Sequence, residues 1–426
     1  MIDYTSFNDG KTLCTEFLQQ AIDATPEGGK LTVPAGTYLT GSLFLHSEMI
    51  FELAEGATLL AVTDNAAFKR LPSRVAGVEM VWPSAILNAR DAHSITITGG
   101  GLIDGQGWYW WNQFWGPDRK GGLKAVYEPM GLRWATDYDC ERPRSVLIYN
   151  CQNVTISGLN ITQSPFWNIH LCYSKHVLVE NVHIDKCNGP STDGVDVDSC
   201  DGVVVRYCDI HCNDDSICLK SGRDADGLRV NRVCQNVEVH HCDLGVGEGI
   251  TLGSETSGGI RQVYIHDCKF RNTNFGFRIK SARNRGGVIE DIRVENLEMT
   301  DVATPFGFNL NWFPAYSYCE IPKDYTGPIP DYWYVMCERV PEEKGIPTVR
   351  NMEIRHVRAS LSSQYRQGID MDDHKGMSCA FLIKAFPERP MENVLMEDVH
   401  VTAREYGTVA NIRNWMMKDV TVDIIE

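Results

Sequence analysis

The chain has 426 residues, of which 43% are apolar and 23% charged, with a formal net charge of -16. That composition is typical of a folded globular protein, and its acidity works against polynucleotide and anionic-membrane partners. No run approaches the roughly 18 consecutive apolar residues of a membrane-spanning helix.

The opening MIDYTSFNDGKTL has no basic stretch followed by an apolar one, so a cytoplasmic location is the expectation. Residues 9–25, DGKTLCTEFLQQAIDAT, place Leu13, Phe17, Leu18, Ala21 and Ile22 on one helical face. A single amphipathic helix is expected there. The segment that follows, rich in Gly and Pro, breaks into short alternating runs and reads as many brief strands. A helix laid across them would cap the exposed end of a repeating sheet structure.

A nine-residue pattern then recurs, with apolar residues at its second, fourth, seventh and ninth places. It occurs as HSITITGGG at 93, NVTISGLNI at 153, HVLVENVHI at 176, GVVVRYCDI at 202, NVEVHHCDL at 236, QVYIHDCKF at 262, DIRVENLEM at 291, NMEIRHVRA at 351 and NVLMEDVHV at 393. Two short period-2 strands joined by a polar corner that shifts the phase by one account for every apolar place. The shortest intervals, 23 and 26 residues, fit one coil of a parallel β-helix. The predicted architecture is therefore all-β: one solenoid domain over 1–426, an N-terminal capping helix at 9–25, and insertions at 107–145 and 311–345 near a cleft.

Fifteen cysteines are scattered without a CxxC pair, which argues against zinc and redox motifs. Cys208, Cys242 and Cys268 share the seventh place of their repeats and are expected to stack as buried thiols. Both insertions are aromatic. GWYWWNQFWG at 107–116 holds six aromatic residues, and 311–340 adds Trp312, Phe313, Tyr316, Tyr318, Tyr325, Tyr332, Trp333 and Tyr334. Such rings stack on the apolar faces of sugars, so both insertions are expected to wall a carbohydrate pocket.

The candidate chemistry lies in Asn188–Lys220, which holds Asp193, Asp196 and Asp198, then Asp214 and Asp215. Counted from the start of its own repeat, Asp193 has offset 17, Asp214 and Asp215 have 12 and 13, Glu248 has 12, and Arg278 and Lys280 have 16 and 18. All six follow the second strand of successive coils and therefore share one face, with coils about 4.8 Å apart. His170, at offset 17 in the repeat at 153, falls one coil before Asp193. Paired carboxylates on one face suit acid/base work on a glycosidic bond. Adjacent Asp214 and Asp215 repel one another unless a cation or a function relieves them. The dense oxygen-ligand run of a calcium loop is missing, so no metal or other cofactor is expected.

These residues carry a resemblance. The chain resembles the polygalacturonase family of glycoside hydrolases, family 28, through VPAGTYLTGSLFLHSEMIFELAEGATLL, through RPRSVLIYNCQNVTISGLNITQSPFWNIH, and through four active-site blocks. The family's Asn-Thr-Asp block stands here as Ser191-Thr192-Asp193 and its Asp-Asp block as Asn213-Asp214-Asp215. Its Gly-His-Gly block stands as Gly247-Glu248-Gly249, and its Arg-Ile-Lys block is intact as Arg278-Ile279-Lys280. The resemblance implies a right-handed parallel β-helix that hydrolyses pectic polysaccharides with inversion. It implies that Asp214 is the general acid, that Asp193 and Asp215 activate water, that Arg278 and Lys280 hold a uronate carboxylate and that position 248 contacts substrate; His170 is expected at substrate from its offset on the same face alone. Inversion calls for carboxyl groups roughly 6.5–9.5 Å apart, a span expected of residues one or two coils apart.

Glu248, in place of the family histidine, would repel a uronate carboxylate and points to a neutral sugar or a rhamnogalacturonan-derived fragment. The reading is an exo-acting hydrolase of uronate-containing pectic oligosaccharides, with no nucleic-acid or membrane partner. An endo-polygalacturonase stays open, as do two readings of other classes: a calcium-dependent pectate-lyase-like enzyme and a noncatalytic carbohydrate-binding solenoid.

Overall fold

A third strand completes each coil beyond the two that the nine-residue pattern describes, and from Ile260 onward those two run together as one continuous strand, as in Ile260–Arg271 and Val288–Thr300. The computed structural model describes residues 3–362 and 378–425. The coil that begins at Lys175 is built from Lys175–Glu180, His183–Cys187 and Val195–Asp198, and the next from Asp201–Arg206, Asp209–Cys212 and Ile217–Lys220. Every strand pairs in parallel with its counterpart one coil away. Val177, Val203, Val237 and Val263 lie in one register column, so second-place apolar residues stack through the core.

The phase shift at the corner has a backbone cause. Asn181, Tyr207, His241, Asp267, Asn296, His356 and Asp398, all sixth in their repeats, have positive φ. One left-handed residue turns the chain and lets the seventh and ninth places face inward again. Position 1 is also left-handed, at Asn153, His176, Asn236, Gln262, Asp291, Asn351 and Asn393. Part of that column is a side-chain ladder: Asn393 Nδ2 donates to Asn351 Oδ1, and Asn351 Nδ2 to Asp291 Oδ1, each at 3.1 Å.

Two sequence expectations shift. Ile95 pairs with Val154, so the first repeat begins at Ser94 and not at His93. The helix is shorter than 9–25, running over Thr15–Asp23 with Leu18, Ala21 and Ile22 buried. Asp9–Leu13 is instead a strand along Gly36–Thr40, where an open edge offers backbone partners that a helix turn cannot use.

The main core runs from Cys14 to Ala403, and Cys208, Cys242 and Cys268 are buried in it. A second cluster lies outside the sheet of third strands. Hairpin Arg70–Val75/Val78–Pro83 supplies Val75, Val78 and Trp82, and the insertions supply Trp134, Tyr138 and Trp333. It covers the outward face of that sheet, which explains why strands with outward-facing charges, such as Val195-Asp196-Val197-Asp198, are buried throughout.

Candidate active site

Third strands Ile169–Cys172, Val195–Asp198, Ile217–Lys220, Ile250–Leu252 and Phe275–Lys280 lie side by side in chain order. They align His170, Asp196, Cys218, Thr251 and Arg278 in one row. Two residues ahead of the paired Val195, Ile217 and Ile250 come Asp193, Asp215 and Glu248. Register thus stacks three carboxylates from consecutive coils.

Asp214 joins them from a bend. Residues 213–216 link strands Asp209–Cys212 and Ile217–Lys220, and there the Asp215 N–H donates to Asp214 Oδ1 at 3.0 Å. The alternation that would send consecutive side chains to opposite faces is broken, and both carboxyls line one pocket with Asp193. Carboxylate oxygens of Asp193, Asp214 and Asp215 lie within 4.8 Å of one another. Asp193 and Asp215 come this close because they sit in the same column one coil apart.

Cations divide the three acids. Lys280 Nζ stands 2.7 Å from Asp215 Oδ2, Thr251 Oγ1 donates to Asp215 Oδ1 at 2.5 Å, and Arg278 Nη1 lies 3.8 Å away. Burial works to raise the pKa of Asp215, but Lys280, Arg278 and Lys220 together hold it below the ordinary carboxylate range. Asp214 has the opposite balance: burial, then Asp193 and Asp215, push it up to about 8. Asp193 is raised by burial, with Asp196 and Asp215 adding to it, against the pull of Lys220, whose Nζ is 3.1 Å from its Oδ2. A protonated Asp214 therefore sits beside an ionised Asp215 at neutral pH.

Lys220 closes the network, with Asp196 at 3.2 Å and Glu255 at 3.6 Å. The sequence reading passed over Lys220 and Glu255. Lys220 follows Leu219 in its strand as Lys280 follows Ile279, and Leu219 and Ile279 are joined in register through Leu252, so the shared column was the available signal. Two ammonium groups already hold Asp193 and Asp215, the positions from which a divalent cation would be bound.

Glu248 and His170 are not in the pocket. Glu248 is fully buried, accepting from Asn274 Nδ2 at 2.5 Å and from Arg278 Nη1 at 2.8 Å. Its charge faces Arg278 beneath the pocket floor, because the Phe275–Lys280 strand brings the guanidinium over it. His170 is equally buried, behind Trp167 at a ring separation of 4.8 Å and 3.5 Å from Asp198. Burial, then Arg144, lowers its pKa to about 4, which leaves a neutral ring supporting Trp167. Both were expected to face substrate, and here both lie buried outside the pocket lining.

Of the two aromatic insertion segments, 107–116 and 311–340, the second is the one that puts rings on the pocket wall. Trp312, Phe313 and Tyr316 line it together with Trp167, and Lys280 Nζ sits 4.6 Å from the Trp312 ring centroid. The 107–116 segment instead forms helix Gly107–Trp115, which buries Trp110 and Phe114. Its insertion reaches the pocket through Arg133 and Asp137. Asp137 accepts from Arg133 at 2.8 Å and from Ser191 Oγ at 2.8 Å, so the serine in the Asn-Thr-Asp block braces the wall.

Residues 29–322 match glycosyl hydrolases family 28. A probable polygalacturonase of Vitis vinifera is 32% identical over 326 residues, 73% of this chain and 62% of its own length. An exo-poly-alpha-D-galacturonosidase of Dickeya chrysanthemi is 30% identical over 70% of this chain and 54% of its own length. The chain thus spans less than two thirds of either relative. The fold is that of a Thermotoga maritima exopolygalacturonase, with a TM-score of 0.73 at 24% identity over 96% of this chain and 89% of that one. A Yersinia enterocolitica family 28 exopolygalacturonase aligns with a TM-score of 0.75 at 21% identity, over 99% of this chain and 77% of that one.

Proposed function

This chain belongs to glycosyl hydrolase family 28, and from that premise we propose that it is an inverting, exo-acting hydrolase of uronate-containing pectic oligosaccharides. The observation that carries the reading is the split among three crowded carboxyls: Asp214 retains a proton up to about pH 8, while cations keep Asp215 ionised beside it. A glycosidic oxygen leaving from the Asp214 side takes that proton as the bond breaks. Water held between Asp193 and Asp215 attacks the anomeric carbon from the opposite side. Of these two, burial pushes Asp193 up, whereas Lys280, Arg278 and Lys220 keep Asp215 ionised, so Asp215 is the carboxylate that receives the water proton while Asp193, held by Lys220, orients the water.

Lys280 and Arg278 reach the pocket as cations and attract a uronate carboxylate to its floor, even with Asp215 and Glu248 as their resident partners. The exo mode is supported by the wall of Trp312, Phe313 and Tyr316, which narrows the cleft on one side, and by the exo-acting Dickeya relative. An endo-polygalacturonase of Pectobacterium parmentieri, 27% identical over 71% of this chain, represents the other mode. Early products from a galacturonate hexamer labelled at its reducing end decide between them. Release of terminal units alone is expected, and a mixture of internal fragments at early times overturns the exo reading.

A further inference from the structure

We infer that the bound oligosaccharide continues out of the catalytic pocket into a second groove, and that this groove accepts neutral sugars and rejects uronates. The inference rests on reading the pocket as a glycosidase site. The catalytic pocket and the depression beside it share Arg133 and Phe313, which stack at 5.4 Å as a common lip. That depression in turn shares Gly131 and Glu320 with a larger one. The three form one path from Asp214 across the two insertions, away from the stacked coils themselves.

The chemistry of the path differs from that of the pocket. Its far part offers Tyr127, Met130, Pro322 and Tyr325, with Met130 48% exposed, and Tyr318 stands along the way. Exposed apolar and aromatic surface of this kind, continuous with a polar pocket, suits the apolar face of a sugar ring. The charged lining is mainly acidic: Glu320 and Asp324, with Glu128, which lies 3.5 Å from Lys124 and 3.9 Å from Arg133, against Arg133, itself paired with Asp137 at 2.8 Å. Carboxylates accept hydrogen bonds from sugar hydroxyls and repel a polyuronate chain. The pocket therefore presents Lys280 and Arg278 to a uronate, and the groove presents acids and aromatics to whatever is attached beyond it.

The inference is tested by calorimetric titration of the Asp214→Asn protein with β-1,4-galactotetraose, α-1,5-arabinotetraose and tetragalacturonate. Saturable binding of at least one neutral tetrasaccharide is expected, weakened about tenfold by Tyr325→Ala or Met130→Asp and unaffected by Lys280→Met. Tyr325 packs on Trp333 at 5.3 Å, so the exposed Met130 supplies the variant that keeps its fold. Glu320→Lys with Asp324→Lys is expected to tighten tetragalacturonate binding by about tenfold. Failure of both neutral probes to bind overturns the inference, as does binding that disappears in Lys280→Met yet survives Met130→Asp. A protein that hydrolyses galacturonan but binds no neutral probe defeats the groove alone; one that binds the neutral probe in the groove but hydrolyses no uronate defeats the catalytic reading alone.

Discussion

Arg278 Nη1 lies 2.8 Å from Glu248 Oε2 but 3.8 Å from Asp215 Oδ1, so the guanidinium is shared unequally between a buried acid below the pocket and an acid that lines it. Glu248→Gln removes the closer charge and leaves a buried cation with Asp215 as its remaining carboxylate partner among these two. The expected result is a loss of about 3 kcal/mol of stability, within the range for breaking one side of a buried ion pair. Urea denaturation measures it. Because Glu248 does not line the pocket and acts on it through Arg278, KM should change more than kcat, and a selective collapse of kcat would contradict its place below the floor.

Asp214→Asn is expected to reduce kcat at least about 1,000-fold, since a single positioned proton donor is lost. The fold should persist. Asp214 has its folded pKa raised from 3.8 to about 8, so its contribution to stability is fully present below pH 3.8 and is lost as pH rises through 8. At neutral pH the charged form is the strained one, and a neutral Asn should leave Tm unchanged or higher. Residual hydrolysis within tenfold of the parent protein would remove Asp214 from the mechanism.

The pH profile of kcat/KM should fall on its alkaline side near pH 8, where Asp214 gives up its proton, and on its acid side below the ordinary carboxylate range, where Asp215 takes one. Lys280 lowers the pKa of both groups and is the cation that acts most strongly on each. Lys280→Met should therefore move both limbs to higher pH. A profile whose limbs stay fixed in that variant would show that Lys280 does not set these ionisations.

Stereochemistry is the sharpest check on the crowding of carboxylate oxygens within 4.8 Å. Read by separation alone, such closeness resembles the roughly 5–5.5 Å spacing of retaining enzymes. The proposed water between Asp193 and Asp215 predicts inversion instead, so proton NMR of the first product from an α-linked galacturonide should show the β anomer. Initial appearance of the α anomer would require a covalent intermediate and would reassign the three aspartates.

Much of this was legible in the residues. The nine-residue pattern encoded the coil directly, because inward places repeat whatever the loops between them do, and polar residues able to adopt positive φ, such as Asn181 and Asp267, marked its corners. Asp193, Asp214, Asp215, Arg278 and Lys280 share one face because they follow equivalent strands, and counting along the chain was enough to place them there. Direction and depth were a different matter. A position in the row does not say whether a side chain opens to solvent or lies under a neighbouring guanidinium, which is why Glu248 and His170 were expected in the pocket and are buried outside its lining. The hairpin at 70–83 and the two insertions meet only in three dimensions, where they bury the outward face of the third strands. Local periodicity was enough for the coil and for the shared face of Asp193, Asp214, Asp215, Arg278 and Lys280, because inward places and strand ends recur along the chain. Only the tertiary structure decided which groups face the pocket and which acid keeps its proton, because burial and the distances to Lys220, Arg278 and Lys280 depend on side chains from different coils converging on one point.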